Sequence, residues 1–306
     1  MIHDDNMSMQ DDLLKQELIQ RQAERAALQQ RIITMLENDS RVRAVWLFGS
    51  GARHDMDAFS DLDVWIVVDD AHIVEFVQNR HIIAHRLAPP LLTLDVPANA
   101  PVDGAYLMLQ YQSPSGPLQV DWYWQPLSNA TIPDDAQLLF DIVELPRTDG
   151  MNATDFSYQT QGVKPPEHYN LLNSDQQIVY QLTNFWCMSL IAAKDIARQD
   201  AIATGWMLQF MQQLLGAAYS LLPDEVKEPF IGVAIDPESL MLDASSILLR
   251  QMHTKANRLL SIYPELATHF PSNLVTQVEQ LYKLAIEASQ ADELGQLVRR
   301  KGSIGC

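Results

Sequence analysis

Cysteine is nearly absent: the 306 residues hold two, Cys187 and Cys306, far apart and without a partnered spacing. That excludes a disulfide framework and a cysteine-rich zinc site, and it fits a reducing cytoplasm. Basic residues are also short, 21 Lys+Arg against 39 Asp+Glu, for a net charge of −18. The deficit is uneven: residues 1–150 carry 10 Lys+Arg against 23 Asp+Glu, and residues 151–306 carry 11 against 16. Such an acidic surface repels long polyanions and attracts cations, which weighs against a nucleic-acid partner. Long apolar runs are missing too. The most apolar helical stretch, Trp206 to Leu222, is interrupted by Gln209, Gln212 and Gln213, which excludes a membrane span. The opening residues Met1-Ile2-His3-Asp4-Asp5 are acidic where a signal peptide is basic. The expectation is a soluble, cytoplasmic protein with no membrane association.

What is there is ordinary globular material, 47% apolar and 20% charged, enough for two medium domains. Residues 11–37 read as a helix, with Leu13, Leu14, Leu18, Ile19, Ala23 and Leu28 at three- and four-residue spacing. Val42 to Phe48 and Asp61 to Val68 read as buried strands joined by a polar loop, Gly51 to Ser60. Ala71 to Leu87 reads as a helix stopped by Pro89-Pro90. Tyr106 to Tyr111 and Leu118 to Trp124 read as a hairpin around Ser113-Pro114-Ser115-Gly116. From Met151 to Pro166 the chain turns polar and ends in Pro165-Pro166, the composition of a domain boundary. Beyond it, residues 173–198, 200–222, 239–262 and 272–298 are helix-periodic and nothing reads as strand. The fold class expected is α+β: a small mixed-sheet domain over residues 1–155, followed by an all-helical domain over 165–306.

The chemistry concentrates in Leu47-Phe48-Gly49-Ser50, ten residues, then Asp61-Leu62-Asp63-Val64. Side chains alternate along a strand, so Asp61 and Asp63 project from one face about 7 Å apart along the backbone. Two carboxylates aimed at one point repel each other unless a cation joins them. Mg²⁺ takes carboxylate and phosphate oxygens, so the pair suits a metal–triphosphate site. Gly49 allows close approach of backbone, Ser50 adds a hydroxyl donor, and Arg53 supplies a cation for a leaving pyrophosphate.

These residues resemble the signature of the DNA-polymerase-β-like nucleotidyltransferase superfamily: hydrophobic-Gly-Ser, about ten residues, then Asp-hydrophobic-Asp-hydrophobic. The order of a small sheet domain and then helices is similar to the antibiotic-modifying branch, the aminoglycoside and lincosamide nucleotidyltransferases. The resemblance implies a third carboxylate on a later strand, for which Asp121 in Leu118-Gln119-Val120-Asp121-Trp122-Tyr123-Trp124 is the candidate, either as third metal ligand or as general base. Burial in so apolar a strand raises a carboxyl pKa and suits it to accept a proton. Alternation puts Gln119 and Tyr123 on the face of Asp121, as candidate substrate contacts. In the helical half, Phe185-Trp186 followed by Ala192-Ala193-Lys194-Asp195 and Arg198 resembles a helix of that branch, which implies that Lys194 reaches the triphosphate.

The implied activity is transfer of AMP from ATP, with Mg²⁺, to a hydroxyl of a small acceptor. An acidic catalytic half suits a cationic acceptor such as an aminoglycoside, and the chemistry allows a homodimer. One rival keeps the chemistry and changes the acceptor to a protein, as in toxin–antitoxin or regulatory nucleotidyltransferases. Another is a nucleotide-binding module without catalysis, which a missing carboxylate would favour; all three are present. His81 and His85 lie four apart on a helix without a third ligand and read as surface residues. Trp46, Trp65, Trp186 and Trp206 read as core.

Overall fold

In the computed structural model the described residues are 2–53, 55–148, 171–291, 294, 297 and 298, with side chains described from residue 11 onward. The expected domain boundary, Met151 to Pro166, lies outside them, as does Cys306.

The chain opens with one long helix, α1 (Ile2–Glu37). Its buried stripe is Leu14, Leu18, Arg21, Arg25, Leu28, Ile32 and Leu36, at the four- and three-residue steps of one helix face. This corrects the sequence reading, because Leu13 and Ile19 point to solvent and two arginines take the middle of the inward face.

A six-stranded sheet follows, in the order β3-β4-β5-β2-β1-β7. The strands are β1 (Val42–Leu47), β2 (Leu62–Val68), β3 (Pro90–Asp95), β4 (Ala105–Tyr111), β5 (Leu118–Pro126) and β7 (Gln137–Asp141). Only β2 and β5 run parallel; the other neighbours are antiparallel. Two short strands, β6 (Ile132–Pro133) and β8 (Arg147–Thr148), pair separately. Both outer strands of the large sheet escape the sequence reading. Pro90 opens β3, where no ladder donor is needed at an edge, and β7 is half-buried with only three apolar residues in a row, Leu138 to Phe140.

The two faces of the sheet differ. Val45, Leu47, Val64, Ile66, Val120 and Trp122 pack under the C-terminal half of α1 and under α3 (Ile73–His85). Ala44, Trp46, Trp65, Val67, Tyr106 and Tyr123 form the opposite face and share a core with the C-terminal helices. Strand alternation places Asp63 and Asp121 on this second face.

The helical part comprises α4 (Ser174–Ala197), α5 (Ala201–Ser220), α6 (Leu242–Ile262), the single turn α7 (Pro264–Ala267) and α8 (Leu274–Gln290). The four long helices match the expected spans to within a few residues, except that α8 ends at Gln290. A capping box starts α4: Asn173 accepts from the Gln176 amide while the Gln176 side chain accepts from the Asn173 amide. Trp206, expected in the core, is exposed. The inward stripe of α5 runs through Thr204, Leu208, Met211, Leu215 and Ala218, and position 206 falls between its turns. No helix among the described residues is long and apolar enough to cross a membrane.

Inside the bundle, His253 of α6 meets Ser189 of α4, both buried, among Phe185, Trp186 and Tyr282. Burial pushes the imidazole down to about 4. A depressed value means that the neutral ring contributes stability fully above the ordinary value near 6.5 and loses it as pH falls through 4. Acidification from pH 6.5 to 4 is therefore expected to remove roughly 2–3 kcal/mol, and His253→Gln to flatten that part of a pH–Tm profile. An unchanged acid limb in the variant would refute it.

Candidate active site

The site is built where β1 ends and β2 and β5 begin, beneath α4. Gly49 follows β1 with φ +65, a left-handed conformation that costs any other L residue roughly 1–2 kcal/mol. A Cβ there would lie 2.6 Å from Oδ2 of Asp63. Glycine is thus demanded twice, by its backbone and by the carboxylate beside it. Ser50 follows in the single turn α2 (Gly49–Ala52). Arg53, just beyond, pairs with Asp55 at 3.3 Å and is partly exposed at the rim.

Three carboxylates converge. Asp63 and Asp121 are paired residues of the adjacent parallel strands β2 and β5, and Asp61 immediately precedes β2. Asp121 accepts from the Tyr106 hydroxyl at 2.9 Å and from Gln119 Nε2 at 2.9 Å. Burial first, and then the Asp61 charge, raise its pKa to about 7 against those two donors and Lys194. Asp63 is pushed well above the usual carboxylate range by burial and by Asp121 and Asp61. Among the described residues no side chain or amide hydrogen-bonds its carboxylate.

Lys194 arrives from α4. Its ammonium is 2.5 Å from Oδ1 of Asp61 and 2.9 Å from Oε1 of Gln119, and Gln110 Nε2 donates to that same oxygen at 3.0 Å. The next residue, Asp195, is lifted to about 6 by burial, adding a fourth carboxylate to the neighbourhood. Of the residues singled out in the sequence, the structure brings together Gly49, Asp61, Asp63, Gln119, Asp121 and Lys194. Arg53 stands at the rim. Tyr123 is buried, stacked on Trp65 at 5.1 Å and tilted against Tyr106 at 4.8 Å, so it forms the floor behind the carboxylates. His81 lies 3.6 Å from Asp95, away from this cluster.

As the side chains stand, no group of three or more His, Cys, Asp or Glu among the described residues is gathered as a metal site. Asp61 is turned to Lys194, and Asp121 to Tyr106 and Gln119. The donor set nevertheless fits a hard divalent cation: three carboxylates, one of them without a donor among the described residues, with a lysine ammonium held where positive charge is needed.

Sequence reasoning missed the fastenings of the spacer loop. Arg21 of α1 donates to the carbonyl oxygens of Ala58, Ser115, Gly116 and Pro117. Arg25 donates to those of Asp57 and Ser60, and Arg198 forms a two-pronged pair with Asp57. The available signal was the four-residue spacing of Arg21 and Arg25 between Leu18 and Leu28. Tyr106 and Gln110 were missed as well, although counting outward equally from the Ser113–Gly116 turn sets Gln110 opposite Gln119 and Met108 opposite Asp121.

Residues 30–90 match the family model described as polymerase beta, nucleotidyltransferase. No curated protein matches the chain. Among solved structures it is similar to an aminoglycoside 6-adenyltransferase from Bacillus subtilis, at 12% identity over 88% of this chain and 98% of that one, with a TM-score of 0.25. So slight a likeness carries nothing further. Over residues 30–90, the segment that holds Gly49, Ser50, Asp61 and Asp63, the chain is similar to nucleotidyltransferase domains of the polymerase beta type.

Proposed function

We propose that the protein transfers a nucleoside monophosphate, AMP from ATP, to a hydroxyl of a small cationic acceptor of the aminoglycoside kind, releasing pyrophosphate. The observation that carries this is Asp63: a partly buried carboxylate with no hydrogen bond among the described residues, flanked by Asp61 and Asp121, in the segment that matches the family model. Residues 1–155 make up the catalytic unit in this reading, and residues 165–306 bring the helix that completes it.

Asp61 and Asp63 would hold Mg²⁺, which when bound would neutralise phosphate oxygens and help align an in-line displacement. Ser50 and Arg53 face the phosphates from the β1 side. Lys194, which pairs with Asp61 in the free protein, would turn to the triphosphate when nucleotide is bound. The α-phosphorus gains a bond to the acceptor oxygen and loses its bond to pyrophosphate. Asp121 receives the hydroxyl proton: its value of about 7 is matched to that task, and Tyr106 and Gln119 fix its orientation. A cationic acceptor is supported by the 23 acidic against 10 basic residues of the first 150, and by Asp195 beside the cleft.

The test is pyrophosphate release from each nucleoside triphosphate across aminoglycosides, lincosamides and protein acceptors. Modification of a protein alongside none of any cationic small molecule would refute the acceptor. Asp121→Asn is expected to cut kcat by roughly 10²–10⁴-fold with Mg·ATP binding retained. A parallel loss of metal affinity would make Asp121 the third ligand instead. Because the base works deprotonated, the wild-type rate falls as pH drops through about 7. Tyr106→Phe removes a donor to the carboxylate and moves that limb to higher pH.

A further inference from the structure

The mechanism above uses Lys194 but not the second cation on the same helix face. Arg198 lies one turn beyond, at the C-terminal end of α4. Its Nε is 2.9 Å from Oδ2 of Asp57 and its Nη2 is 3.0 Å from Oδ1. The Asp57 carboxylate is buried, and Oδ1 also accepts from the Phe59 amide at 2.9 Å and the Ser60 hydroxyl at 3.0 Å. One side chain thus shapes the turn that delivers Asp61 and receives the helix from the other half of the molecule.

Two cations four residues apart on α4 therefore meet two carboxylates four residues apart in the loop, in antiparallel order: Lys194 with Asp61, and Arg198 with Asp57. The two pairs are built differently. Asp57 is 3% exposed and gripped by a planar fork, geometry that holds one arrangement. Asp61 is 28% exposed and meets a flexible ammonium, which exchanges partners readily.

We propose that Arg198 and Asp57 are positioning residues for nucleotide binding. They fix α4 at the distance from which Lys194 passes between Asp61 and a bound triphosphate, so that Arg198 acts on nucleotide affinity through Lys194. This rests on the nucleotidyl-transfer reading. Arg198 itself touches no reacting atom; its guanidinium is already committed to Asp57.

The test is a double-mutant cycle on the full chain, titrating ATP with Mg²⁺ by calorimetry and recording Tm alongside. Lys194→Ala is expected to weaken ATP binding roughly ten- to hundredfold, as losing one charge-assisted contact does. Arg198→Ala gives a comparable loss, and Arg198→Lys recovers part of it, because an ammonium keeps the charge without the fork. Lys194→Ala with Arg198→Ala binds no more weakly than the worse single variant, the signature of residues acting in series. Multiplicative losses, or a lowered Tm with unchanged ATP affinity, would overturn the proposal. Should Arg198→Ala fail to fold, Arg198→Lys runs the same cycle. If the wild type binds no nucleoside triphosphate, the functional reading falls and takes this one with it. If it binds and the losses multiply, only the positioning role falls.

Discussion

Asp63→Asn is expected to lower turnover by roughly 10³-fold or more, and yet to give a metal-free protein more stable than the wild type. The loss follows from removing a metal ligand. Metal stabilisation of the transferring phosphate is worth several kcal/mol, and about 1.4 kcal/mol is a factor of ten in rate. The gain follows from what surrounds the carboxylate. Asp63 is partly buried and pressed by the charges of Asp121 and Asp61, and nothing among the described residues donates to it. Its folded-state value is therefore raised, so the protonated form contributes stability fully below the ordinary value near 3.9 and loses it as pH rises through the raised value. At pH 7.5 the wild type bears the cost of that carboxyl, as crowded charge or as bound proton, and the amide does not. Differential scanning calorimetry should show a higher Tm for the variant without metal, a difference that vanishes in acid. Added Mg²⁺ should raise the wild type's Tm and leave the variant nearly still. A variant that turns over like the wild type, or melts below it without metal, would refute the role given to Asp63.

Arg21→Ala should be the most damaging substitution away from the carboxylates. The guanidinium is fully buried, and burial lowers its pKa to about 10, so it stays charged at neutral pH. It donates to carbonyl oxygens from two separate places, Ala58 in the spacer loop and Ser115 to Pro117 at the hairpin. Truncation leaves those oxygens without a donor. It also removes the positive charge facing Glu24, Asp57 and Asp61. Breaking a buried charged network by deleting one member costs about 3–5 kcal/mol, or roughly 6–15 °C in Tm. Arg21→Lys should recover little, because one ammonium cannot span the carbonyls that the fork reaches. Thermal melts of the three proteins decide it: a loss of under 2 °C for Arg21→Ala would mean that the loop and hairpin hold themselves.

Both strands that frame the motif were legible because they are buried on both faces and read as continuous Val, Ile and Trp. The hairpin was legible from its turn residues, and four long helices from their periodicity. The edge strands β3 and β7 were not, since a proline and a half-exposed run carry no strand signal. The inward face of α1 was misread for a physical reason: hydropathy counts Arg21 and Arg25 as surface, whereas carbonyl oxygens solvate them in the interior. At the site, local spacing located Asp61, Asp63 and Asp121 because strand alternation is a local rule. Arg198 pairs with a residue 141 positions earlier, and Tyr106 bonds Asp121 across the hairpin. Such partners are set by the packing of whole elements, and no short window contains both members.

The way the spacer loop is fastened also decides how portable the motif is. The segment matching the family model starts at residue 30 and stops at 90, so it leaves behind Arg21 and Arg25 on one side and Tyr106, Asp121, Lys194 and Arg198 on the other. Transplanted into a foreign sheet, it would carry Gly49, Ser50, Asp61 and Asp63 with their spacing intact. The carbonyls of Asp57, Ala58 and Ser60 would arrive without their donors, and the Asp57 carboxylate without its cation. A graft that respects this chemistry has to bring three arginines from two remote helices along with the signature, so the matched segment is too small a unit to transfer alone.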